Sequence, residues 1–364
     1  MKVGVVGAGQ LGQMLALAGR KLSLDFRFLS PDSAAPAGKH AELVVADYSN
    51  ESALTHFADG LDVATYEFES IPSASLKFVA SLVPVYPPVL ALETTQDRAA
   101  EKACFEALSI PTSKFAIVDS MREVREALSI IGLPVVLKSR TLGYDGKGQS
   151  VIRRPDDVAS AWVSSGGVPA IVESFVKFKR ELSVISVRSR TGEIRFYPLV
   201  ENHHSEGILR FSLAPAPGVT KAIEDLARGY ATSILNHLDY VGVLAIEFFE
   251  TDEGLVANEM APRVHNTGHW TIEGADTSQF ENHLRAIAGL PLGSTEMGGS
   301  AGMVNVIGHE PAVRKLDELN NVHVHMYGKK PRSRRKLGHI TVTGDSLGEV
   351  MQTVARVRNT LASR

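Results

Sequence analysis

A dense group of polar residues lies between Asn258 and Trp270, in the order Asn-Glu-Met-Ala-Pro-Arg-Val-His-Asn-Thr-Gly-His-Trp. It contains a carboxylate, an arginine, two histidines and two asparagines, placed where a predicted strand ends and a loop begins. Ionisable and hydrogen-bonding side chains gathered at the end of a strand can bind and polarise a ligand. The segment is therefore our first candidate for a functional site.

A second carboxylate, Glu247, lies upstream in the apolar stretch Val-Leu-Ala-Ile-Glu-Phe-Phe. The intervening Thr-Asp-Glu-Gly predicts a tight hairpin with Gly254 in the left-handed conformation. If the turn is centred on Glu253, Glu247 and Glu259 face each other with Cβ atoms roughly 5 Å apart. A hard divalent cation such as Mg²⁺ would remove the resulting repulsion. A pair of solvated hairpin carboxylates is the alternative, which the polar residues after Glu259 disfavour.

The composition sets limits on the class of protein. The chain has 364 residues, 44% of them hydrophobic and 22% charged, with a net charge of −3. These values are typical of a soluble globular protein of two or three domains and give no reason to expect nucleic acid or a membrane as partner. Cys104 is the single cysteine, so we expect a packed thiol in a cytoplasmic protein. No segment has the pattern of a signal peptide or a membrane span.

The elements that must position the polar residues begin with an alternation of strands and helices over residues 1–92. Strands are predicted at Val3–Gly7, Asp25–Ser30, Leu43–Ala46, Leu61–Glu67 and Val83–Tyr86, and helices at Gln10–Lys21, Glu51–Ala58 and Ser73–Ser81. The alternation predicts a parallel, doubly wound sheet. A further helix, capped by Thr94 or Thr95, is expected to end near Leu108.

Beyond Pro111 the pattern changes to α+β. Residues 111–174 predict a small unit of strands and helices with a Gly-rich strand connection, which resembles a lid. Antiparallel strands follow at Glu181–Arg188 and Ile194–Leu199, and a helix at Thr220–Leu238 precedes the hairpin. The tail, residues 291–364, predicts three strands and a final helix.

Gly7-Ala-Gly-Gln-Leu-Gly12 matches the GxGxxG pattern between a strand and a helix. Its glycines permit a tight turn, and the helix N-terminus can hold a phosphate. A dinucleotide site also requires an acid at the end of the second strand, where Asp32 is an imperfect match. A structural turn or a substrate-phosphate site is therefore favoured over NAD(P).

The loop from Arg140 to Gln149 contains three glycines around an aspartate and a lysine. Its exposed backbone N–H groups can contact phosphates, although it lacks the Gly-Lys-Ser/Thr of a Walker motif. Lys138, at the end of the preceding strand, is placed to reach a phosphate as a point charge. A mobile hairpin with an extended surface lysine is the alternative.

Two weaker signals follow. The strand ending in Glu173-Ser-Phe-Val176 can present backbone groups to the edge of a base, and Glu181 can accept hydrogen bonds from ribose hydroxyls. His203-His204 resembles a metal pair, but neighbouring side chains on an extended chain diverge, which favours contact with a ligand.

A dense cationic run, Lys329-Lys-Pro-Arg-Ser-Arg-Arg-Lys336, lies in the tail. A solvated loop and a nucleic-acid patch are both conceivable, but no aromatic stacking platform accompanies the run. A compact phosphate on a small substrate is the better match.

With these residues in view, the sequence resembles the ATP-grasp carboxylate–amine ligases, and among them the 5-(carboxyamino)imidazole ribonucleotide synthases of purine biosynthesis. The resemblance covers nearly the full length. The matching stretches are Gly7–Gly12, Thr65-Tyr-Glu-Phe-Glu69, Gln96-Asp-Arg98, Gly143-Tyr-Asp-Gly-Lys-Gly148, Gly207-Ile-Leu-Arg210 and Asn258–Trp270. The last is the most specific. Lys147 departs from the arginine that the family leads us to expect.

The resemblance implies three domains. These are an N-terminal pre-ATP-grasp domain with a parallel sheet (1–94), a two-part ATP-grasp fold (95–290, with the lid at 111–174) and a small C-terminal α+β domain (291–364). It also implies a homodimer. The implied reaction is the phosphorylation of bicarbonate by ATP to carboxyphosphate, which carboxylates the exocyclic amine of aminoimidazole ribonucleotide.

The resemblance also implies roles for individual residues. Glu247 and Glu259 would hold Mg²⁺, and the catalytic residues binding bicarbonate would be Arg263, His265 and Asn266. The ATP site would comprise Arg98, Lys138, Gly143, Tyr144, Asp145, Gly146, Lys147, Gly148, Gln149, Glu173, Ser174, Phe175, Val176, Glu181, His204, Asn258 and Glu259. The aminoimidazole ribonucleotide would contact Glu67, Glu69, Tyr144, Asp145, Lys329 and Arg335.

Three alternatives stay open at this point. The first is another ATP-grasp ligase, such as a formate-dependent glycinamide ribonucleotide transformylase or a biotin carboxylase. The second is a nicotinamide-dependent oxidoreductase built on Gly7–Gly12. The third is a nucleotide-binding regulatory protein without turnover, which the complete set of Lys138, Glu247 and Glu259 disfavours.

Overall fold

The computed structural model describes residues 1–141, 143, 148–310, 316 and 319–362. The alternating N-terminal pattern forms a four-stranded parallel sheet in the order β3-β2-β1-β4. Its elements are β1 (Lys2–Val6), α1 (Gln10–Gly19), β2 (Asp25–Ser30), β3 (Glu42–Val45), α2 (Glu51–Ala58), β4 (Val63–Tyr66) and α3 (Ser73–Ala80). One face packs against α1 and the other against α2 and α3, which confirms the doubly wound sheet.

The fifth predicted strand, Val83–Tyr86, is not a strand. Val85 makes only an isolated parallel bridge to Ala64. Pro84 and Pro87 flank this position and carry no N–H, so the hydrogen-bond ladder cannot extend.

The predicted cap at Thr94 or Thr95 is also wrong. The chain forms two helices, α4 (Val89–Gln96) and α5 (Arg98–Ala107), and the Asp97 carboxylate caps the second by accepting from the Ala99 N–H at 2.9 Å. Thr94 instead bonds back to the Leu90 carbonyl at 2.8 Å, within α4. An aspartate is as good a cap as a threonine, and its position at the break decides the boundary.

The predicted lid is a four-stranded antiparallel sheet, in the order β5-β8-β6-β7, with two helices. Its elements are β5 (Phe115–Val118), α6 (Met121–Ile131), β6 (Val135–Ser139), β7 (Gln149–Ile152), α7 (Val158–Ser164) and β8 (Ala170–Ser174). The sheet and both helices share a small core of their own. The Gly-rich loop joins β6 to β7, at the edge of this sheet.

A nine-stranded sheet forms the body of the molecule, in the order β14-β13-β9-β11-β12-β15-β17-β16 with β10 beside β9. Its central elements are β9 (Arg180–Arg188), β10 (Ile194–Phe196), β11 (Val200–Ser205), β12 (Ile208–Ala214), α8 (Lys221–His237), β13 (Gly242–Glu250), β14 (Leu255–Ala261), α9 (Thr271–Gly274) and α10 (Gln279–Ala288). The remaining elements are β15 (Ser300–Ile307), β16 (Val322–Met326), β17 (Lys336–Gly344) and α11 (Leu347–Ala362). No helix among the described residues is both long and apolar enough to cross a membrane.

The C-terminal strands join this sheet through one pair of strands, β12 and β15. β15 pairs with β12, so the sheet runs across the domain boundary that we expect at residues 290 and 291. The basic run lies between β16 and β17, and its last residue, Lys336, begins β17. The boundary itself stays a prediction.

His283 ties the N-terminal sheet to the body of the molecule. Its Nε2 lies 3.0 Å from the Thr65 hydroxyl of β4, and its Nδ1 accepts the Val243 N–H of β13 at 3.2 Å. A proton on Nδ1 would therefore face a donor. The ring is buried, and burial lowers the pKa of His283 from 6.5 to about 3.

We expect acid to weaken this junction. A histidine whose pKa is lowered by folding costs stability once the pH falls below its unfolded value, because only the unfolded chain takes up the proton. Between pH 6.5 and 3 this one group should remove about 1.4 kcal/mol per pH unit from the free energy of unfolding. Urea unfolding at pH 7 and pH 5 measures it. His283→Gln should show a smaller difference between the two pH values, and an equal difference would contradict the assignment.

Candidate active site

Glu247 and Glu259 lie opposite each other on β13 and β14, as the sequence predicts. Burial raises the pKa of Glu247 to about 7, and the facing Glu259 adds to the rise, while His204 partly offsets it. Burial would also raise the pKa of Glu259, but the nearby Arg98 outweighs it and lowers the pKa. The Glu259 side chain keeps 42% of its surface accessible. Two facing carboxylates with an open side favour a cation between them.

The N-terminal turn of α5 faces this pair. Arg98 Nη1 lies 3.1 Å from Glu259 Oε2, and one turn later Glu101 accepts the Met260 N–H at 2.7 Å. Burial and the charge of Glu259 raise the pKa of Glu101 to about 8. Glu101 is therefore mostly protonated at neutral pH, and Arg98 supplies a positive charge directly beside Glu259.

A buried carboxylate between two lysines forms the next part of the site. Glu173 lies 2.9 Å from Lys138 Nζ and 3.3 Å from Lys102 Nζ, and it accepts the Ser113 hydroxyl at 2.7 Å. Burial alone would raise the pKa of Glu173, but Lys138 and Lys102 lower it to about 2. Two ammonium groups and one carboxylate leave a net positive charge, which suits phosphate oxygens.

Lys102 also binds the strand that carries Glu259. Its Nζ donates to the Asn258 carbonyl at 3.0 Å and to the Thr112 hydroxyl at 2.7 Å. Only 1% of the residue is exposed, and burial lowers the pKa of Lys102. The lysine therefore couples the hairpin to the base of the lid.

The segment after β8 links the lid to the body. The Phe175 N–H donates to the Pro134 carbonyl at 3.1 Å, and the Lys179 N–H donates to the Glu250 carbonyl at 2.8 Å. Phe178 stacks on Phe249 with ring centroids 4.7 Å apart. The connection is thus held at both ends.

Glu181 of β9 and His204 of β11 form an ion pair, with Oε2 and Nδ1 2.5 Å apart. Burial lowers the pKa of His204, but its contact with Glu181 and the charge of Glu247 outweigh this and raise it. His203 points elsewhere, with its ring stacked on Phe211 at 4.0 Å. The two adjacent histidines diverge, as expected for an extended chain.

The described residues include no group of three or more histidine, cysteine or carboxylate side chains arranged to hold a metal ion. A carboxylate pair such as Glu247 and Glu259 can hold Mg²⁺ only if phosphate oxygens or water complete the octahedron.

Arg263, His265 and Asn266 follow β14 and lie along the junction with the other two domains. Arg263 Nη2 contacts both Glu69 oxygens, at 2.8 and 2.9 Å. Burial and the neighbouring Arg263 hold the pKa of His265 well below its usual value, so its ring is neutral. Asn266 exchanges two side-chain hydrogen bonds with Asn305 of β15, at 3.0 and 2.8 Å. The three side chains offer one fixed cation and several neutral hydrogen-bonding groups.

Glu67 and Lys329 line the N-terminal side of the site. The Glu67 carboxylate accepts the N–H groups of Gly9 and Gly12 and is almost fully buried. Burial raises the pKa of Glu67, although those two donors oppose the rise. Lys329 donates to the Gln10 side chain, whereas Lys330 is exposed.

The remaining part of the basic run is held by its own backbone and by a neighbouring hairpin. Arg335 donates to the Lys330 carbonyl at 3.3 Å. Arg334 donates to the Glu206 carbonyl at 2.9 Å.

Four further residues were missed by the sequence analysis. They are Lys102, Gln279, Asn305 and Lys336. Lys102 follows Arg98 by four positions on one helix, a spacing that could have revealed it. Lys336 lowers the pKa values of His265 and Glu247 and so lies near the centre of the site, a position hidden within a run treated as a whole.

Gln279 and Asn305 carry no signal in the sequence. Gln279 is fully buried, accepts the His265 N–H at 2.9 Å and donates to the His265 carbonyl at 2.7 Å. It thereby fixes the backbone of the polar segment from a helix fourteen residues away.

Leu142 and four residues with assigned roles in the Gly-rich loop lie outside the described part of the chain. The four are Tyr144, Asp145, Gly146 and Lys147, so their assigned contacts with ATP and substrate stay predictions. At the ends of this loop the Ser139 N–H donates to the Gly148 carbonyl at 2.8 Å, and Lys138 pairs with Gln149 across the strands.

Comparison with known proteins finds three family models that match successive parts of the chain. Residues 1–96 match the ribonucleotide synthetase preATP-grasp domain, residues 103–280 the ATP-grasp domain, and residues 301–353 the phosphoribosylaminoimidazole carboxylase C-terminal domain.

Relatives match over the whole length. An N5-carboxyaminoimidazole ribonucleotide synthase from Pseudomonas aeruginosa is 51% identical, with 98% of each chain covered, and one from Bacillus subtilis is 37% identical, with 97% of this chain and 94% of the relative covered. The crystal structure of the N5-carboxyaminoimidazole ribonucleotide synthetase from Thermus thermophilus is 49% identical, with a TM-score of 0.94 and coverage of 100% and 99%.

A synthase from Aspergillus clavatus, solved in complex with ADP and 5-aminoimidazole ribonucleotide, has a TM-score of 0.93 at 31% identity, with 100% of this chain and 99% of that chain covered. The pairing of opposed carboxylates with a buried lysine pair, and the full-length similarity of sequence and fold, lead to one conclusion. The chain belongs to the N5-carboxyaminoimidazole ribonucleotide synthase family of ATP-grasp ligases.

Proposed function

We propose that this chain uses ATP to carboxylate the exocyclic amine of 5-aminoimidazole ribonucleotide with bicarbonate. The products are N5-carboxyaminoimidazole ribonucleotide, ADP and phosphate, in purine biosynthesis. The observation that carries the proposal is that two groups of charged and polar side chains lie next to each other. The Glu247–Glu259 pair with the lysines around Glu173 suits a nucleotide, and the Arg263–Asn266 segment directly after it suits a small anion.

ATP is assigned to the space between the lid and the nine-stranded sheet. Lys138 would contact its phosphates as a point charge, helped by amides of the Gly-rich loop, while the buried Lys102 holds Glu173 beside it. The base is assigned to the backbone at Ser174, Phe175 and Val176. The Glu181–His204 pair is assigned to the ribose hydroxyls, where a carboxylate held by a charged histidine accepts hydrogen bonds.

Magnesium fits the residues present. Glu247 and Glu259 face each other, and the repulsion between them contributes to the raised pKa of Glu247. Mg²⁺ is commonly held by one or two carboxylates with substrate phosphates. When bound here, it would neutralise charge on the phosphate oxygens during transfer. Arg98 stays beside Glu259 and keeps that carboxylate ionised and oriented.

Bicarbonate is assigned to Arg263, His265 and Asn266. The Arg263 Nε is buried and has no acceptor among the described residues, so the guanidinium retains a donor for an anion. An oxygen of bicarbonate attacks the γ-phosphorus of ATP, the bond to the β-phosphate oxygen breaks, and ADP leaves. The resulting carboxyphosphate reacts readily with water, which is why the lid must close over it.

Carboxyl transfer completes the reaction. The amine of the ribonucleotide attacks the carbonyl carbon of carboxyphosphate, the bond to the phosphate oxygen breaks, and the amine loses a proton. Of Glu67 and Glu69, Glu69 is assigned to the aminoimidazole ring with Tyr144 and Asp145, because the Glu67 carboxylate already accepts two backbone N–H groups. Lys329 and Arg335 are assigned to the 5′-phosphate. No covalent intermediate with the protein is needed, since positioning and charge stabilisation suffice.

Substrate-dependent ADP release tests the proposal against other ATP-grasp ligases. We expect ADP to form rapidly only when bicarbonate and 5-aminoimidazole ribonucleotide are both present. Formation that requires formate with glycinamide ribonucleotide, or free biotin, would replace the proposed substrate by that of the other ligase.

The oxidoreductase alternative makes a simple contrary prediction. The amides of Gly9 and Gly12, which would hold a pyrophosphate, already bind the Glu67 carboxylate. We therefore expect no change in NAD(P)H fluorescence when the protein is titrated to millimolar concentrations of nucleotide. Saturable enhancement that ATP does not displace would contradict this expectation.

Two further expectations complete the proposal. We expect a cytoplasmic enzyme, because Cys104 is the single cysteine and is buried in α5, so no intramolecular disulfide can form. We also expect a homodimer, by resemblance to the family. Light scattering after gel filtration measures the mass, and a monomer at micromolar concentration would contradict it.

A further inference from the structure

The glycines of the Gly7–Gly12 loop all border one side chain, that of Glu67. A Cβ on Gly7 would lie 2.5 Å from Glu67 Cγ, one on Gly9 would lie 2.7 Å from Oε1, and one on Gly12 would lie 3.4 Å from Oε2. Gly7 also has a φ of +102°, which L side chains rarely adopt. The space that the Glu67 side chain requires therefore explains Gly7 and Gly9, whereas a Cβ on Gly12 would first meet Phe28 Cε1, at 3.1 Å.

Hydrogen bonds hold this carboxylate in place. The Gly9 N–H donates to Oε1, and the Gly12 N–H donates to Oε2 at 2.7 Å. Both donors belong to the first turn of α1 or precede it, where unpaired N–H groups and the helix dipole favour an anion. Glu67 thus satisfies donors that a ligand phosphate would otherwise take.

Two residues after Glu67, the same segment contacts Arg263, in the polar segment that follows β14. Glu69 holds Arg263 Nη2 through both oxygens, at 2.8 and 2.9 Å. The Gln96 side chain fixes this segment from α4 by donating to the Glu69 carbonyl at 2.6 Å and to the Ile71 carbonyl at 2.5 Å. The position of Glu69 is therefore set on one side by Glu67 and on the other by Gln96.

We propose that the Gly7–Gly12 loop is a socket for the Glu67 carboxylate, and that Glu67 is a positioning residue which orients Arg263 through Glu69. Through these contacts the N-terminal domain fixes the orientation of the Arg263 guanidinium, which is assigned to bicarbonate. This inference rests on the proposed function, because the kinetic effect that we expect is a change in the KM for bicarbonate. It gives the motif a role without any bound dinucleotide or phosphate.

Kinetics of Glu67→Gln, Glu69→Gln and the double variant test the inference. The amide in Glu67→Gln keeps the shape but presents an N–H to one of the two glycine donors. Displacement of a positioned group by about 1 Å costs up to about 100-fold, so we expect the KM for bicarbonate to rise about tenfold in each single variant, with the KM for ATP unchanged. The double variant should match Glu69→Gln alone, since coupled residues are not additive.

Two further variants separate positioning from stability. Gly9→Ala keeps the Glu67 charge but places a Cβ 2.7 Å from Oε1, too close for contact, so it should raise the same KM even if Glu67→Gln folds poorly. Glu42→Gln is the matched control, because Glu42 pairs with Lys2 and Arg27 in the same sheet far from Arg263. It should leave every KM unchanged.

Three outcomes would overturn the inference. Two are kinetic: additive effects in the double variant, or a change confined to the KM for 5-aminoimidazole ribonucleotide. The third is a lower Tm with unchanged KM values. The side-chain ¹⁵N resonances of Arg263, assigned through Arg263→Lys, report on the same geometry without turnover. They should shift in Glu67→Gln and not in Glu42→Gln. If the wild-type protein forms no ADP, the proposed function fails, while these resonances still decide the role of the socket.

Discussion

Glu259→Gln should reduce ADP formation at least about 100-fold, equivalent to about 2.7 kcal/mol in the activation barrier. Glu259 is ionised, because Arg98 outweighs the effect of burial and lowers its pKa. The amide keeps the shape but removes one of two negative charges that attract a divalent cation. It also relieves the repulsion that raises the pKa of Glu247. The fold should be little affected, since 42% of the side chain is accessible.

ADP release measured against Mg²⁺ concentration separates a metal effect from a general defect. We expect the variant to require more Mg²⁺ for half-maximal rate, in addition to its lower maximum. Glu253→Gln is the matched control, because Glu253 lies exposed in the turn of the same hairpin. Turnover near the wild-type rate in Glu259→Gln would refute the assignment of the carboxylate pair.

Glu173→Gln should have the largest effect on stability. The carboxylate lies between the Lys138 and Lys102 ammonium groups, and its removal leaves both buried near each other without a counterion. A pKa lowered from 4.5 to about 2 corresponds to roughly 3 kcal/mol, similar to the 3–5 kcal/mol typical of a broken buried ion pair. We expect a loss of about 3 kcal/mol in the free energy of unfolding.

The dependence on pH checks the cause of this loss. A carboxylate whose pKa is lowered by folding stabilises the protein above its unfolded value, and that stabilisation disappears as the pH falls towards the folded value. The difference between wild type and Glu173→Gln should therefore be constant above pH 4.5 and shrink between pH 4.5 and 2. Glu106→Gln, exposed on α5, is the control. A loss that does not change with pH would indicate a packing defect instead.

The hairpin illustrates how far the sequence alone can lead. The pairing of Glu247 with Glu259 was predicted from a turn centred on Glu253 and is confirmed. The register that produces this pairing differs from the predicted one. Glu250 pairs with Leu255 at the turn, and a bulge at Asn258 then shifts the register by one residue. A bulge depends on the packing and hydrogen bonding around it, so the local sequence does not predict it.

Contacts between distant parts of the chain were beyond sequence reasoning. Glu69 and Arg263 are 194 positions apart, and each was assigned to the site without the other as partner. Glu69 follows β4 of the parallel sheet, whose carboxyl ends form a binding crevice, and Arg263 follows the antiparallel β14, so each could be recognised as a candidate from its place at a strand end. Which of them pair with each other depends on how the three domains pack. The same packing brings the Glu67 carboxylate to the Gly7–Gly12 loop, which the sequence predicts as a structural turn or a substrate-phosphate site.

Oxygen labelling tests the central claim most directly. With ¹⁸O-labelled bicarbonate, ATP and 5-aminoimidazole ribonucleotide, transfer through carboxyphosphate sends one bicarbonate oxygen into inorganic phosphate, because the phosphorus–oxygen bond forms first and the carbon–oxygen bond then breaks. Mass spectrometry of the phosphate should show one ¹⁸O per molecule, with formation of ADP and of the carboxylated ribonucleotide in equal amounts. Phosphate free of label, or label without any dependence on the ribonucleotide for rapid ADP release, would contradict the proposed reaction.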